Sequence, residues 1–129
     1  MTSKSPLFKP LIKQSLLLLL GIVLTAQAAT ATTVKVSTSL GDFSIELFDD
    51  ITPVTVANFL AYVNSGRFNG TVFHRSEPNF VIQGGWLTFD PINSSLNQIT
   101  VDPTIQNEFN VSNTRGTVAM AKVGGDPNS

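Results

Sequence analysis

Between Thr33 and Leu47 apolar residues return at every second position, as Val34 and Val36 and again as Phe43, Ile45 and Leu47, with polar residues between them. Successive side chains leave a strand on opposite faces, so this period describes two half-buried strands and not a helix. Leu40-Gly41-Asp42 is turn chemistry, and the pair predicts an antiparallel hairpin with one face on a core.

The next pattern is different. Val56, Phe59, Leu60 and Val63 fall at i, i+3, i+4 and i+7, one apolar stripe of a helix. Thr52 stands where an N-cap is needed, and Pro53 takes the first helical position, where its missing N–H costs nothing. Gly66 ends the helix as a left-handed cap. This helix is expected to pack on the open end or side of the sheet. Two short strands follow, Thr71–Arg75 and Phe80–Gln83, joined by a turn at Pro78-Asn79 and closed by Gly84-Gly85. From Trp86 to about Glu108 the prolines, Asn and Ser predict a functional surface loop. Thr117–Ala121, small and apolar, predicts a fifth, buried strand. Five strands and one helix cannot close a barrel, and an open sheet keeps unpaired edges. The sequence is therefore expected to lack the C-terminal part of its domain.

Residues 1–28 read as something other than this body. Lys4, Lys9 and Lys13 come first without an acid, then the apolar run Leu16–Leu24, then Ala26 and Ala28 in an A-x-A pair. These are the three parts of a secretory signal peptide, with cleavage expected after Ala28. The apolar run is short of the roughly 20 residues a spanning helix needs. Export to a periplasm or the exterior follows as an expectation, with no membrane attachment after cleavage. Residues 29–129 would then form the mature domain. Three of the eight basic residues and none of the nine acids lie in the leader, so the mature balance is five against nine, or −4.

Composition removes several function classes. The whole chain has a formal net charge of −1, with no basic surplus for a phosphate backbone, so no nucleic-acid partner is expected. With no cysteine and His74 as the single histidine, a disulfide framework, a thiolate zinc site, a multi-His metal site and a cysteine nucleophile are all excluded. There is no G-x-S-x-G elbow. Asp49-Asp50 reads as a solvated turn. Gly84-Gly85 lacks the Lys and helix of a phosphate loop. His74 lies between Phe73 and Arg75 in a strand and points away from both, the place of a core or interface histidine.

What remains is Phe73-His74-Arg75-Ser-Glu-Pro-Asn-Phe80-Val81-Ile82-Gln83-Gly84-Gly85. It resembles the FHR…F-x-x-QGG signature of the cyclophilin-type peptidyl-prolyl cis-trans isomerases. Gly41–Leu47, Thr52-Pro53, Thr55-Val56, Asn58-Phe59, Phe68–Phe73, Asn107-Glu108-Phe109 and Asn113–Ala121 look like further blocks of that family in family order. Asp126–Ser129 looks like the stretch before the family's Ser-Gln-Phe-Phe strand, so the resemblance covers somewhat over half of a family domain.

The resemblance implies a mainly β fold with helices, a closed eight-stranded barrel capped by helices, of which about five strands are present here. It implies isomerisation of X–Pro bonds in proline-containing polypeptides, without cofactor or metal, by a monomer. Arg75, Phe80 and Gln83 would be the catalytic residues, with Val81, Ala121 and Lys122 contacting the bound peptide. A guanidinium is permanently charged and carries several donors in a fixed fork, which suits it to a twisted amide. Phe80 would floor the proline ring and Gln83 would hold the substrate backbone or Arg75. Three positions depart from the family pattern. Glu77 stands near Arg75 and can draw it into an ion pair, Trp86 follows the glycines, and Lys122 replaces an Asn or Arg. The competing expectations are a groove that binds proline peptides without turnover, and an inactive fragment.

Overall fold

The structure is a computed structural model that describes residues 30–122, 124 and 126–128. The leader Met1–Ala28 lies outside the described residues. Among those described, no helix is long and apolar enough to cross a membrane.

β1 (Thr33–Thr38) and β2 (Gly41–Glu46) form the expected antiparallel hairpin, with Val34 opposite Ile45 and Val36 opposite Phe43. The pairing runs one step further through Leu47, whose N–H donates to the Thr32 carbonyl at 2.8 Å. α1 (Pro53–Asn64) lays its stripe on this hairpin. Val34, Leu47 and Val56 are the buried centre, and Ile45, Phe59, Leu60 and Val63 pack around them.

The two ends of α1 are held differently. At the C-terminus Gly66, with φ +71°, donates to the Val63 carbonyl, and Arg67 donates to that of Tyr62. This pair of hydrogen bonds around a left-handed glycine is a Schellman motif. At the N-terminus Thr52 occupies the cap position, but its side chain makes no capping bond; its hydroxyl donates back to the Phe48 carbonyl. The carboxylate of Glu108 does the capping instead, accepting from the amides of Val54 at 3.2 Å and Thr55 at 2.7 Å. An anion more than fifty residues away thereby meets the positive end of the helix, whose first turn contains no acid of its own.

A second sheet has the order β3-β4-β5, all antiparallel. β3 spans Thr71–Glu77, β4 Val81–Asp90 and β5 Ser95–Gln98. Two expectations are corrected here. β4 does not stop at Gly84-Gly85 but continues through Trp86 to Asp90, and the region expected to be loop supplies β5. Pro91 and its polar neighbours mark a turn, where Asp90 accepts from the Ile92 amide and from the Asn93 backbone and side chain, and only residues 99–108, with Pro103, remain outside strands as expected. Thr117–Ala121, by contrast, forms no strand. No neighbour among the described residues offers it a ladder, and a strand exists only through pairing. Thr117 instead folds back on Thr114 in a turn, and Val118 is 66% exposed.

The architecture is therefore mainly β with one helix, in a two-stranded and a three-stranded sheet that share no strand. No closed barrel is formed among the described residues. Phe68 joins the two halves. It stacks on Tyr62 and tilts against Phe59 of α1, and its ring lies where a Cβ on Gly85 of β4 would make close contact.

Candidate active site

The β3–β4 hairpin builds the site. Its connection is a turn in which Phe80 donates its N–H to the Glu77 carbonyl at 3.1 Å. Pro78 fixes the first corner and Asn79 takes a left-handed conformation, φ 61°, which Asn tolerates better than most residues. The ladder then places Arg75 directly opposite Gln83 and Glu77 opposite Val81. A register shift between Phe73 and Arg75 interrupts β3 immediately before the arginine, a device that re-aims side chains beside sites.

Three of the proposed residues come together. The Arg75 guanidinium carbon stands 5.8 Å from the centre of the Phe80 ring, within cation–π reach. Its Nη1 donates to the Gln83 side-chain oxygen at 3.5 Å, and its Nε donates to a Glu77 carboxylate oxygen, also at 3.5 Å. Both contacts are long against the usual 2.7–3.2 Å. They orient the fork without tying it down. Phe80 is 77% exposed, an aromatic face open to a ligand rather than spent on a core. Val81, opposite Glu77, is half-buried.

Ala121 and Lys122 are not gathered with these residues. Both are exposed, and Lys122 lines a separate depression of about 290 Å³ beside Thr55, Glu108 and Phe109. Arg75, Phe80 and Gln83 form no part of that wall. The pairing that would have carried residues 117–121 to the groove does not form, so their end does not reach it.

The residues around the site have structural duties. His74 is half-buried and meets Trp86 edge-on at 5.9 Å. Gly84 lies opposite Phe73, and a Cβ there would come within 2.8 Å of the Phe73 ring and 3.1 Å of the Val72 carbonyl. The Gly-Gly step after Gln83 is thus a seat for two rings, Phe73 and Phe68. Sequence reasoning missed the helix-capping role of Glu108, and also Arg67. Arg67 lies 3.7 Å over the Tyr62 ring and pairs with Asp102 at 2.8 Å, while the Tyr62 hydroxyl accepts from the Asp102 amide. The Asp102 carboxyl is held below its ordinary range chiefly by the hydrogen bond from Arg67. Neither partnership had a local signal, because each spans more than thirty residues.

The arrangement offers hydrogen-bond donors over an aromatic floor. A family model described as cyclophilin type peptidyl-prolyl cis-trans isomerase/CLD matches residues 33–129. The chain belongs to the cyclophilin-type isomerase family. Among similar proteins, a peptidyl-prolyl cis-trans isomerase of Acinetobacter baylyi is 37% identical over 87% of this chain and 58% of its own length. Peptidyl-prolyl cis-trans isomerase A of Dickeya dadantii is 42% identical over 74% of this chain and 48% of itself, and isomerase B of Escherichia coli 46% over 66% and 50%. The chain thus spans about half the length of the cyclophilin relatives it matches. No solved structure matches it.

Proposed function

We propose that this chain supplies the arginine-bearing part of a peptidyl-prolyl cis-trans isomerase that acts on X–Pro bonds of exported polypeptides as they fold. The observation that carries the reading is the guanidinium of Arg75, set opposite Gln83 and over an exposed Phe80. Amide resonance gives an X–Pro bond a barrier of roughly 18–20 kcal/mol, so uncatalysed isomerisation is slow. When the bond is half-turned that resonance is lost and the proline nitrogen regains a lone pair. A donor that grips this nitrogen or the adjacent carbonyl binds the twisted state better than either planar one, which is the condition for catalysis. Phe80 receives the pyrrolidine ring, and Gln83 steadies the guanidinium or the peptide backbone. The leader pattern at residues 1–28 supports export.

The test is isomerisation of a proline-containing peptide by the full gene product. Arg75→Ala is expected to lower kcat/KM by about 10²-fold, the usual cost of losing one donor to a developing charge. Arg75→Lys should recover little, since a lysine is a point charge without the fork. Equal rates for the parent and Arg75→Ala would refute the mechanism. Tight peptide binding with no acceleration by the parent would establish the second reading, a binding groove without turnover.

A further inference from the structure

We propose that Glu77 is a positioning residue for Arg75, so that together with Gln83 it clamps the guanidinium from two ends; this rests on the isomerase reading of the site. The donors that each partner uses distinguish positioning from sequestration. An acid that sequestered the arginine would take two of its N–H groups at once, the two Nη or Nε with its neighbouring Nη, through parallel hydrogen bonds. Glu77 instead meets Nε, the single N–H on the stem side, and Gln83 meets Nη1. These hydrogen bonds engage two of the five N–H groups of the guanidinium, and Nη2 meets no hydrogen-bond acceptor among the described residues. A planar group met at Nε and at one Nη has a preferred plane, even where both contacts are long.

The backbone makes this placement reproducible. Glu77 lies two residues beyond Arg75 on β3, hence on the same strand face, and its carbonyl anchors the turn that carries Phe80. The carboxylate, the guanidinium and the aromatic floor are therefore set by one hairpin end. The Arg75 and Glu77 side chains are 47% and 52% exposed, so the pair is solvent-screened and contributes modestly. Its effect is on orientation rather than on folding.

The experiment compares Glu77→Ala and Glu77→Gln with the parent, as the full gene product, by peptide isomerisation kinetics and by the order of the Arg75 Nε–H resonance in nitrogen-15 NMR. In Glu77→Ala, kcat should fall about two- to five-fold with KM little changed, and the Nε–H should lose order. Glu77→Gln keeps an acceptor and should restore most of both, while the melting temperature stays the same throughout. An unchanged or raised kcat in Glu77→Ala overturns the proposal, as does an Nε–H equally ordered without the carboxylate. If no variant and no parent turns over peptide, the isomerase reading falls by itself. The resonance then decides the clamp, with loss of order in Glu77→Ala upholding it and no change ending it.

Discussion

Arg75 and Glu108 are both charged residues that the fold uses by hydrogen bonding, yet their duties are opposite. Arg75 keeps donors over an exposed ring, whereas Glu108 spends its carboxylate on the amides of Val54 and Thr55. Those bonds, the one from Thr55 foremost, hold the Glu108 carboxyl below its ordinary range. A depressed carboxyl stabilises the fold fully above its unfolded-state value, and the contribution is lost as pH falls through the lower folded-state value. Asp49, held down mainly by the Thr32 amide, and Asp102 act in the same direction. Acid titration of the parent should therefore show stability falling below about pH 4.5, and Glu108→Gln should flatten part of that fall. An identical acid profile in the variant would remove Glu108 from the account.

At the scale of elements, the Gly84-Gly85 step shows why a motif that looks catalytic is partly architectural. A methyl group on Gly84 meets the Phe73 ring and the Val72 carbonyl inside van der Waals distance. Gly84→Ala should cost about 1–3 kcal/mol, the ordinary range for overpacking, measured as a drop in denaturant midpoint. A variant as stable as the parent would show that the ring simply moves aside. The same scale explains what could be read from the residues alone. The β1–β2 hairpin, the α1 stripe and the left-handed Gly66 were legible because each is a local pattern with one geometric solution. The closeness of Arg75, Phe80 and Gln83 was legible too, since a turn at Pro78-Asn79 folds one strand end onto the next. β5 was not, because Ser95, Asn97 and Gln98 lack strand character and are held by the backbone ladder to Leu87–Asp90. Thr117–Ala121 misled for the converse reason. Its residues suit a strand, but suitability without a partner makes none. The Glu108 cap was hidden because Thr52 offered a plausible local answer.

For the molecule as a whole, the core is small. Val34, Leu47, Val56 and Tyr62 are the buried hydrophobic residues among those described, and none of them is fully enclosed. Meanwhile Phe73, Ile82, Trp86, Phe89 and Leu96 of the second sheet are each 44% exposed or more. Apolar surface of that extent seeks cover, and so little burial offsets little chain entropy. The 129-residue chain on its own should bind a hydrophobic dye such as ANS and melt over a broad range. A sharp, dye-free melt would mean that the sheet is covered in solution. Phe68 is a keystone of this open architecture. Bracketed by Phe59 and Tyr62 on one side and seated against Gly85 on the other, it links α1 to the strand that bears Gln83. Loosening Arg67 from Asp102 should therefore slacken the strand that bears Gln83 before it unravels the β1–β2 hairpin.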